Sequence, residues 1–295
     1  MEYYLHLIIN GLVVGSIYSL VALGFVIIYK ATQVINFAQG ELLMVGAYIC
    51  FALTVQGKLP FIVSFFLTLG FSIILGLAIE RLTLRPLIGE SHISVIMVTI
   101  GLSSVLKSLV QIFWGTNIRV YPQVLPTDPV NIFGLPVAPV YIAAFLLSLL
   151  LFAIFTFFFR YSRTGIAMRA TAFDQQAAQS MGISIKKIFA LSWCIACVVS
   201  SVGGIILGNI NGINSQLGHM GLKVFPAVIL GGLDSLLGAA VGGLIIGVLE
   251  NVCDGLAKQF FDLGGFKEVA AFIVLVIILM IKPYGLFGTK EIERV

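Results

Sequence analysis

The chain has 295 residues, of which 59% are hydrophobic and only 10% charged, with a mean hydropathy of +1.09 and a formal net charge of +4. A soluble domain carries about 25% charged residues, so the composition excludes an ordinary soluble enzyme. It points to an all-α polytopic membrane protein in which residues 1–295 form a single integral membrane domain. The charge is too small to suggest nucleic acid as a partner. Met1 and Glu2 lead straight into apolar sequence, without the basic region of a cleavable signal peptide.

A helix needs about 20 apolar residues to cross the hydrocarbon core. Runs of that kind fall at 5–29, 59–79, 93–114, 138–159 and 188–207. The stretch 42–55 is too short alone and reaches spanning length only by starting near Val34, which brings Asn36, Gln39, Gly40 and Glu41 into it. The stretch 224–252 is interrupted by Gly231, Gly232, Asp234, Ser235 and Gly238, and a last run at 269–281 stops before Pro283. The expectation is about eight transmembrane helices, with broken or re-entrant segments near 34–48 and 225–243.

Lysine and arginine set the orientation. With the amino terminus outside, eleven fall on the cytoplasmic side (Lys30, Arg81, Arg85, Arg160, Arg163, Arg169, Lys186, Lys187, Lys282, Lys290, Arg294) and five opposite (Lys58, Arg119, Lys223, Lys258, Lys267). A single crossing by 224–252 would put Lys290 and Arg294 outside. A break at Gly231 and Gly232 returns them to the cytoplasm. Lys107 lies within a span, roughly 10 Å from its outer end, and reads as a snorkelling side chain.

The same count places residues 160–187, the one long polar segment, in the cytoplasm. Thr171 is positioned to cap a short helix, Asp174 to favour its dipole and Gly182 to end it. Phe173, Ala177 and Met181, at i, i+4 and i+8, then share an apolar face that nothing in the chain obviously covers. That face reads as a docking surface, with a membrane-surface helix or plain connecting loop as the alternative.

Asn36, Phe37, Gln39, Gly40 and Glu41 in the first interrupted segment, and Gly231, Gly232, Asp234 and Ser235 in the second, are candidates for a translocation pathway. Backbone leaves helical geometry at membrane depth only where protein or a wet cavity receives it. Interfacial turns with caps are the alternative. Gly238, Ala239, Gly242, Gly243 and Gly247 read as helix-packing residues. Cys194 and Cys197 form a C-x-x-C, but inside an apolar run without a second ligand pair they read as inert thiols. His6, His92 and His219 have no metal-ligand spacing, so no metal is expected. The sequence contains no G-x-x-x-x-G-K-[ST], so ATP would have to be bound elsewhere. It also contains no H-E-x-x-H and no supported serine triad. Beyond Lys107 and the breaks, the spans read as nearly empty of ionisable groups, which argues against an autonomous ion-coupled carrier or channel.

Four motifs in order resemble the permease subunits of ABC importers for branched-chain amino acids, the hydrophobic-amino-acid and amide group. They are NFAQGELLMVGAY (36–48), RATAFDQQAAQSMGI (169–183), PAVILGGLDSLLGAAVGGLIIGVLE (226–250) and KPYGLFG (282–288). The resemblance covers nearly the whole chain. It implies a permease that is not itself an enzyme and binds no cofactor. It further implies a second homologous permease subunit, two ATPase subunits carrying ATP, and a periplasmic or extracellular substrate-binding protein, all at a bacterial inner membrane. The second motif resembles the segment that docks on the ATPases, with Arg169, Asp174, Ala177, Ala178 and Gly182 in the matching places beside Phe173 and Met181. Relatives for urea and short amides share these motifs. Gln39 stands where many relatives carry His, which leaves the cargo open.

Overall fold

A computed structural model describes residues 2–122, 128–132, 135–261 and 266–289. Among them are eleven α-helices: α1 (Glu2–Thr32), α2 (Gln39–Phe51), α3 (Phe61–Ile79), α4 (His92–Trp114), α5 (Pro139–Tyr161), α6 (Arg163–Phe173), α7 (Gln175–Ser180), α8 (Ile185–Asn211), α9 (Met220–Gly231), α10 (Leu236–Phe261) and α11 (Phe266–Ile281). A π-helical turn, Ala52–Gln56, prolongs α2, and Glu80–Leu84 does the same for α3. A short antiparallel pair, β1 (Val130–Ile132) and β2 (Leu135–Val137), precedes α5. Seven helices among the described residues are long and apolar enough to cross a membrane, and the shorter Val269–Ile281 is an eighth apolar helix. The chain is therefore a multi-pass membrane protein. Lys290 and Arg294, and part of the proline-rich stretch between α4 and α5, lie outside the described residues.

The chain divides into two compact units. The first comprises Met1–Val26, Thr127–Phe152 and Lys223–Val295. Its helices meet backbone to backbone. Gly11 and Gly15 of α1 rest on Val248 and Leu244 of α10, and a Cβ on Gly247 would collide with Gly15. The Ser19 hydroxyl donates to Ala240 O at 2.7 Å. Small residues four apart on both helices permit this approach, because apolar side chains gain little by leaving lipid for one another. The α9–α10 pair is an antiparallel hairpin in which Gly231 abuts Gly238, and Gly242 abuts Ala227. The break anticipated at Gly231 and Gly232 is thus the turn of this hairpin, with Gly232 at a φ of 105°.

The second unit comprises Ile27–Pro126 and Ala153–Leu222. Here α8 is the centre: Gly46 and Leu43 of α2 touch Ser201 and Gly204, and Gly76 of α3 lies on Cys194. The Ser72 and Ser201 hydroxyls share a 2.6 Å hydrogen bond. Cys194 and Cys197 are free and buried in this packing, as inert thiols would be. In the link after α4, burial pushes the Tyr121 phenol well above its ordinary range. It stays protonated and donates to Ala47 O at 2.7 Å.

Two corrections to the sequence reading follow. The spans are not nearly empty of ionisable groups, because Glu80 and Glu250 are buried in them. Glu80 accepts both Arg85 Nε (3.1 Å) and Nη2 (2.9 Å), and Tyr18 donates to Glu250 Oε2 at 2.9 Å. Each carboxylate is satisfied by a neighbour that hydropathy does not register. Second, residues 160–187 do not form one helix capped by Thr171. They form α6 and α7, broken at the extended Asp174 (φ −154°), whose carboxylate accepts Gln176 N and Ala177 N. Thr171 lies inside α6 and donates its hydroxyl to Ala167 O.

The packing yields a stability contrast. Gly204→Ala forces its new methyl onto Leu43 O, and overpacking of this kind costs about 1–3 kcal/mol. Gly70→Ala in α3 meets nothing within 4 Å and should be neutral or slightly stabilising. Thermal unfolding in one detergent should show a lower midpoint for Gly204→Ala only.

Candidate translocation segment and its joint

Helix α1 ends at Thr32, and Gln33 follows in the left-handed region at a φ of 58°. The next helical residue is Gln39. The intervening backbone runs through the membrane without a helix of its own, so its polar groups need partners. Val34 N donates to Thr32 Oγ1 at 3.3 Å, Phe37 N to Thr99 Oγ1 at 3.3 Å and Ala38 N to Asn36 Oδ1 at 3.0 Å. Thr99 lies seven residues into α4, roughly 10 Å along the helix. The break therefore bonds to α4 about two turns inside its apolar run.

The polar side chains of the segment are tied to one another and to α8. Asn36 Nδ2 donates to Gln39 Oε1 at 3.3 Å, and Gln39 Nε2 donates to Ser200 Oγ at 2.6 Å. The Ser200 hydroxyl in turn donates to Ala196 O. Asn36 and Gln39 are both essentially inaccessible. Gly40 packs so closely on Gly218 and Gly221 that a Cβ on it would strike the Gly218 carbonyl. This contact brings the 3₁₀ turn Ser215–His219 against the start of α2. Glu41, 8% exposed, lies within electrostatic reach of Ser103, Lys107 and His219, and a Cβ added at Gly218 would come within 2.9 Å of its Oε1.

Lys107 has a partner in the 3₁₀ turn Ser215–His219. Its Nζ lies 3.4 Å from His219 Nε2. The signal for Lys107 was present in the sequence, since an ionisable group within a span is a functional candidate by default. Thr99 and Ser200 carried no such signal, because the fold brings them to Phe37 and Gln39 from 62 and 161 positions away.

Gly231, Gly232, Asp234 and Ser235 lie in the other unit and make the α9–α10 turn. Leu286 N and Phe287 N donate to Leu230 O (2.8 Å) and Gly231 O (3.1 Å), using carbonyls left open at the end of α9. The Asp234 carboxylate accepts Thr289 N and the Thr289 hydroxyl, and Ser235 Oγ accepts Gly238 N at 3.0 Å. These contacts clasp KPYGLFG onto the turn.

The segment joining α5 to α8 belongs to the unit that holds 33–41. Ser162 caps α6 and Asp174 caps α7. At the far end Gly182, at a φ of 84°, accepts the left-handed turn, with Gly182 N on Gln179 O and Ile183 N on Ala178 O. This pair of bonds is a Schellman closure. Phe173 and Met181 are 96% and 84% exposed, and Ala177 is exposed between them. Arg169 Nη2 donates back to Arg160 O, while Ala178 faces inward. A direct bond joins this segment to the break: Gln33 Nε2 donates to Ala172 O at 3.0 Å. A cavity of about 130 Å³ lies beside the joint, lined by Thr32, Val34, Asn36, Thr99, Gln175 and Trp193 among others. Among the described residues, no group of three or more His, Cys, Asp or Glu is placed to hold a metal ion.

The chain is similar to known proteins along nearly its whole length. BraD of Pseudomonas aeruginosa, a high-affinity branched-chain amino acid transport system permease protein, is 34% identical over 99% of this chain and 98% of its own. The protein of corresponding description from Escherichia coli K12, LivH, is 31% identical over the same shares. A probable LivH of Methanocaldococcus jannaschii is 29% identical over 98% of this chain and 95% of its own. The structure of PsaBC from Streptococcus pneumoniae in complex with Fab matches at a TM-score of 0.51 and 14% identity, over 93% of this chain and 91% of that one, which extends the likeness of fold. The model of the family "Branched-chain amino acid transport system / permease component" matches residues 7–281, and the chain belongs to that family.

Proposed function

We propose that this chain is one of two permease subunits forming the pore of an ATP-driven importer for branched-chain amino acids in a bacterial cytoplasmic membrane. A second, related permease completes the pore. Two ATPase subunits bind and hydrolyse ATP, this chain carrying no cofactor, and an extracytoplasmic binding protein delivers the cargo. The names of BraD and LivH support the cargo class.

The observation that carries the coupling half of this reading is the Gln33–Ala172 bond, one residue from the exposed Phe173. Two large exposed apolar side chains, Phe173 and Met181, flank α7, which is closed at both ends, and this suits a rigid docking element. When the ATPases close, they press on α7 and on the Asp174 corner. The displacement passes through Ala172 to Gln33, the pivot of residues 33–38, and so to Asn36, Gln39 and Glu41. The adjoining cavity gives that pivot room. ATP can drive such a change only if the ATPases contact the two states of the permease differently. An exposed docking segment bonded to the break provides a route for that difference.

Gly182→Val puts a β-branched side chain at a φ of 84°, a strain of about 1–2 kcal/mol. ATP-driven leucine uptake in cells should fall about fivefold or more, with membrane insertion unchanged. Uptake at the parental rate would count against the docking assignment. Phe173→Ala combined with Met181→Ala should reduce the amount of P-loop ATPase that co-purifies with the chain. Leucine transport by the purified chain alone in liposomes would overturn the importer reading as a whole.

A further inference from the structure

Glu41, Ser103, Lys107 and His219 form a charged cluster within the apolar layer that the helix packing does not require. Glu41 lies in the first turn of α2, and Ser103 and Lys107 lie one turn apart in the middle of α4. His219 closes the 3₁₀ turn that Gly218 and Gly221 hold against Gly40. A lysine and a glutamate this close in a low-dielectric site could have collapsed into a tight pair. Instead the ammonium lies 3.4 Å from the imidazole, and the carboxylate lies against Gly218, the residue before His219. A carboxylate has about four acceptor positions and an ammonium three donors, so both keep hydrogen-bonding capacity. The buried Glu41 forms the floor, Lys107 is half-buried, and His219 is exposed at the rim, so the cluster opens on that side.

We propose that this cluster receives the charged head of the cargo. Lys107 takes the α-carboxylate and Glu41 the α-ammonium of a zwitterionic amino acid. The proposal rests on the importer reading above and locates its headgroup subsite. The two charges select jointly: Glu41 repels a carboxylic acid without an amine, and Lys107 repels an amine without a carboxylate. Gly218 sets the geometry, because a Cβ there would come within 2.9 Å of Glu41 Oε1. His219 positions the Lys107 ammonium, and leaves it when the cargo carboxylate arrives.

The test uses the assembled importer in proteoliposomes, with its binding protein and labelled leucine. Lys107→Met should lower uptake about tenfold or more, and Lys107→Arg should stay within about threefold of the parent, as expected for a lost and a retained charge-assisted hydrogen bond. A second readout keeps Lys107 and Glu41 intact. Gln216 is exposed and one 3₁₀ turn before His219, on the same edge. In Gln216→Cys, leucine should slow maleimide labelling, while 3-methylbutylamine (no carboxylate) and 4-methylpentanoate (no amine) should not. Lys107→Met should abolish the protection. Uptake by Lys107→Met within twofold of the parent, or equal protection by all three compounds, would overturn the proposal. Absence of leucine uptake by the parent complex would instead sink the importer reading, which separates the two failures.

Discussion

Backbone that leaves the helix inside a membrane must find all its hydrogen bonds within the protein, and residues 33–38 are where this chain meets that demand. Thr32, Asn36 and Thr99 accept backbone N–H groups that a helix would have satisfied along its own axis. The arrangement depends on close backbone approach elsewhere. Gly40 must meet Gly218 and Gly221, and Gly46 and Gly204 must let α2 settle on α8. Hydrophobic burial cannot provide this closeness, because lipid offers apolar side chains the same environment. The glycine contacts are thus the means by which the polar groups of residues 33–41 are held against their partners.

The break joins the two ends of the function. At one end, Gln33 adopts a left-handed backbone conformation and bonds Ala172 in the segment that carries the exposed Phe173 and Met181. On its inner side, Asn36 and Gln39 anchor to Ser200 of α8, while Glu41 faces Ser103 and Lys107 of α4. A short covalent and hydrogen-bonded route therefore joins the exposed Phe173 and Met181 to residues 33–41. No long-range wire of packed side chains is needed, which distinguishes this from pathways inferred only from intermediate position.

Much of this was legible in the sequence. Spans, breaks and the polar segment follow from run length, glycine placement and lysine and arginine count, each with a local physical cause. The C-x-x-C read as inert, and Cys194 and Cys197 are indeed buried thiols. What stayed illegible depends on contacts between distant positions. Thr171 and Asp174 are both good caps, and only the extended backbone at 174 decides between them. Lys107 looked like a snorkelling residue because its partner His219 stands 112 positions away. Glu80 and Glu250 were hidden in the same way, each compensated by a neighbour that a hydropathy average does not see. Asp234 and Ser235 carried chemistry suited to a pathway; in the fold Asp234 also holds Thr289, and Ser235 accepts Gly238 N at the start of α10.

The central claim is that the Gln33–Ala172 bond carries ATPase motion to the break. Gln33→Asn keeps a side chain that tolerates a positive φ but is too short to reach the Ala172 carbonyl. Leucine transported per ATP hydrolysed, measured on the reconstituted importer with its binding protein, tests the claim directly. The account expects ATP hydrolysis to continue while the ratio falls several-fold. An unchanged ratio in Gln33→Asn would contradict it.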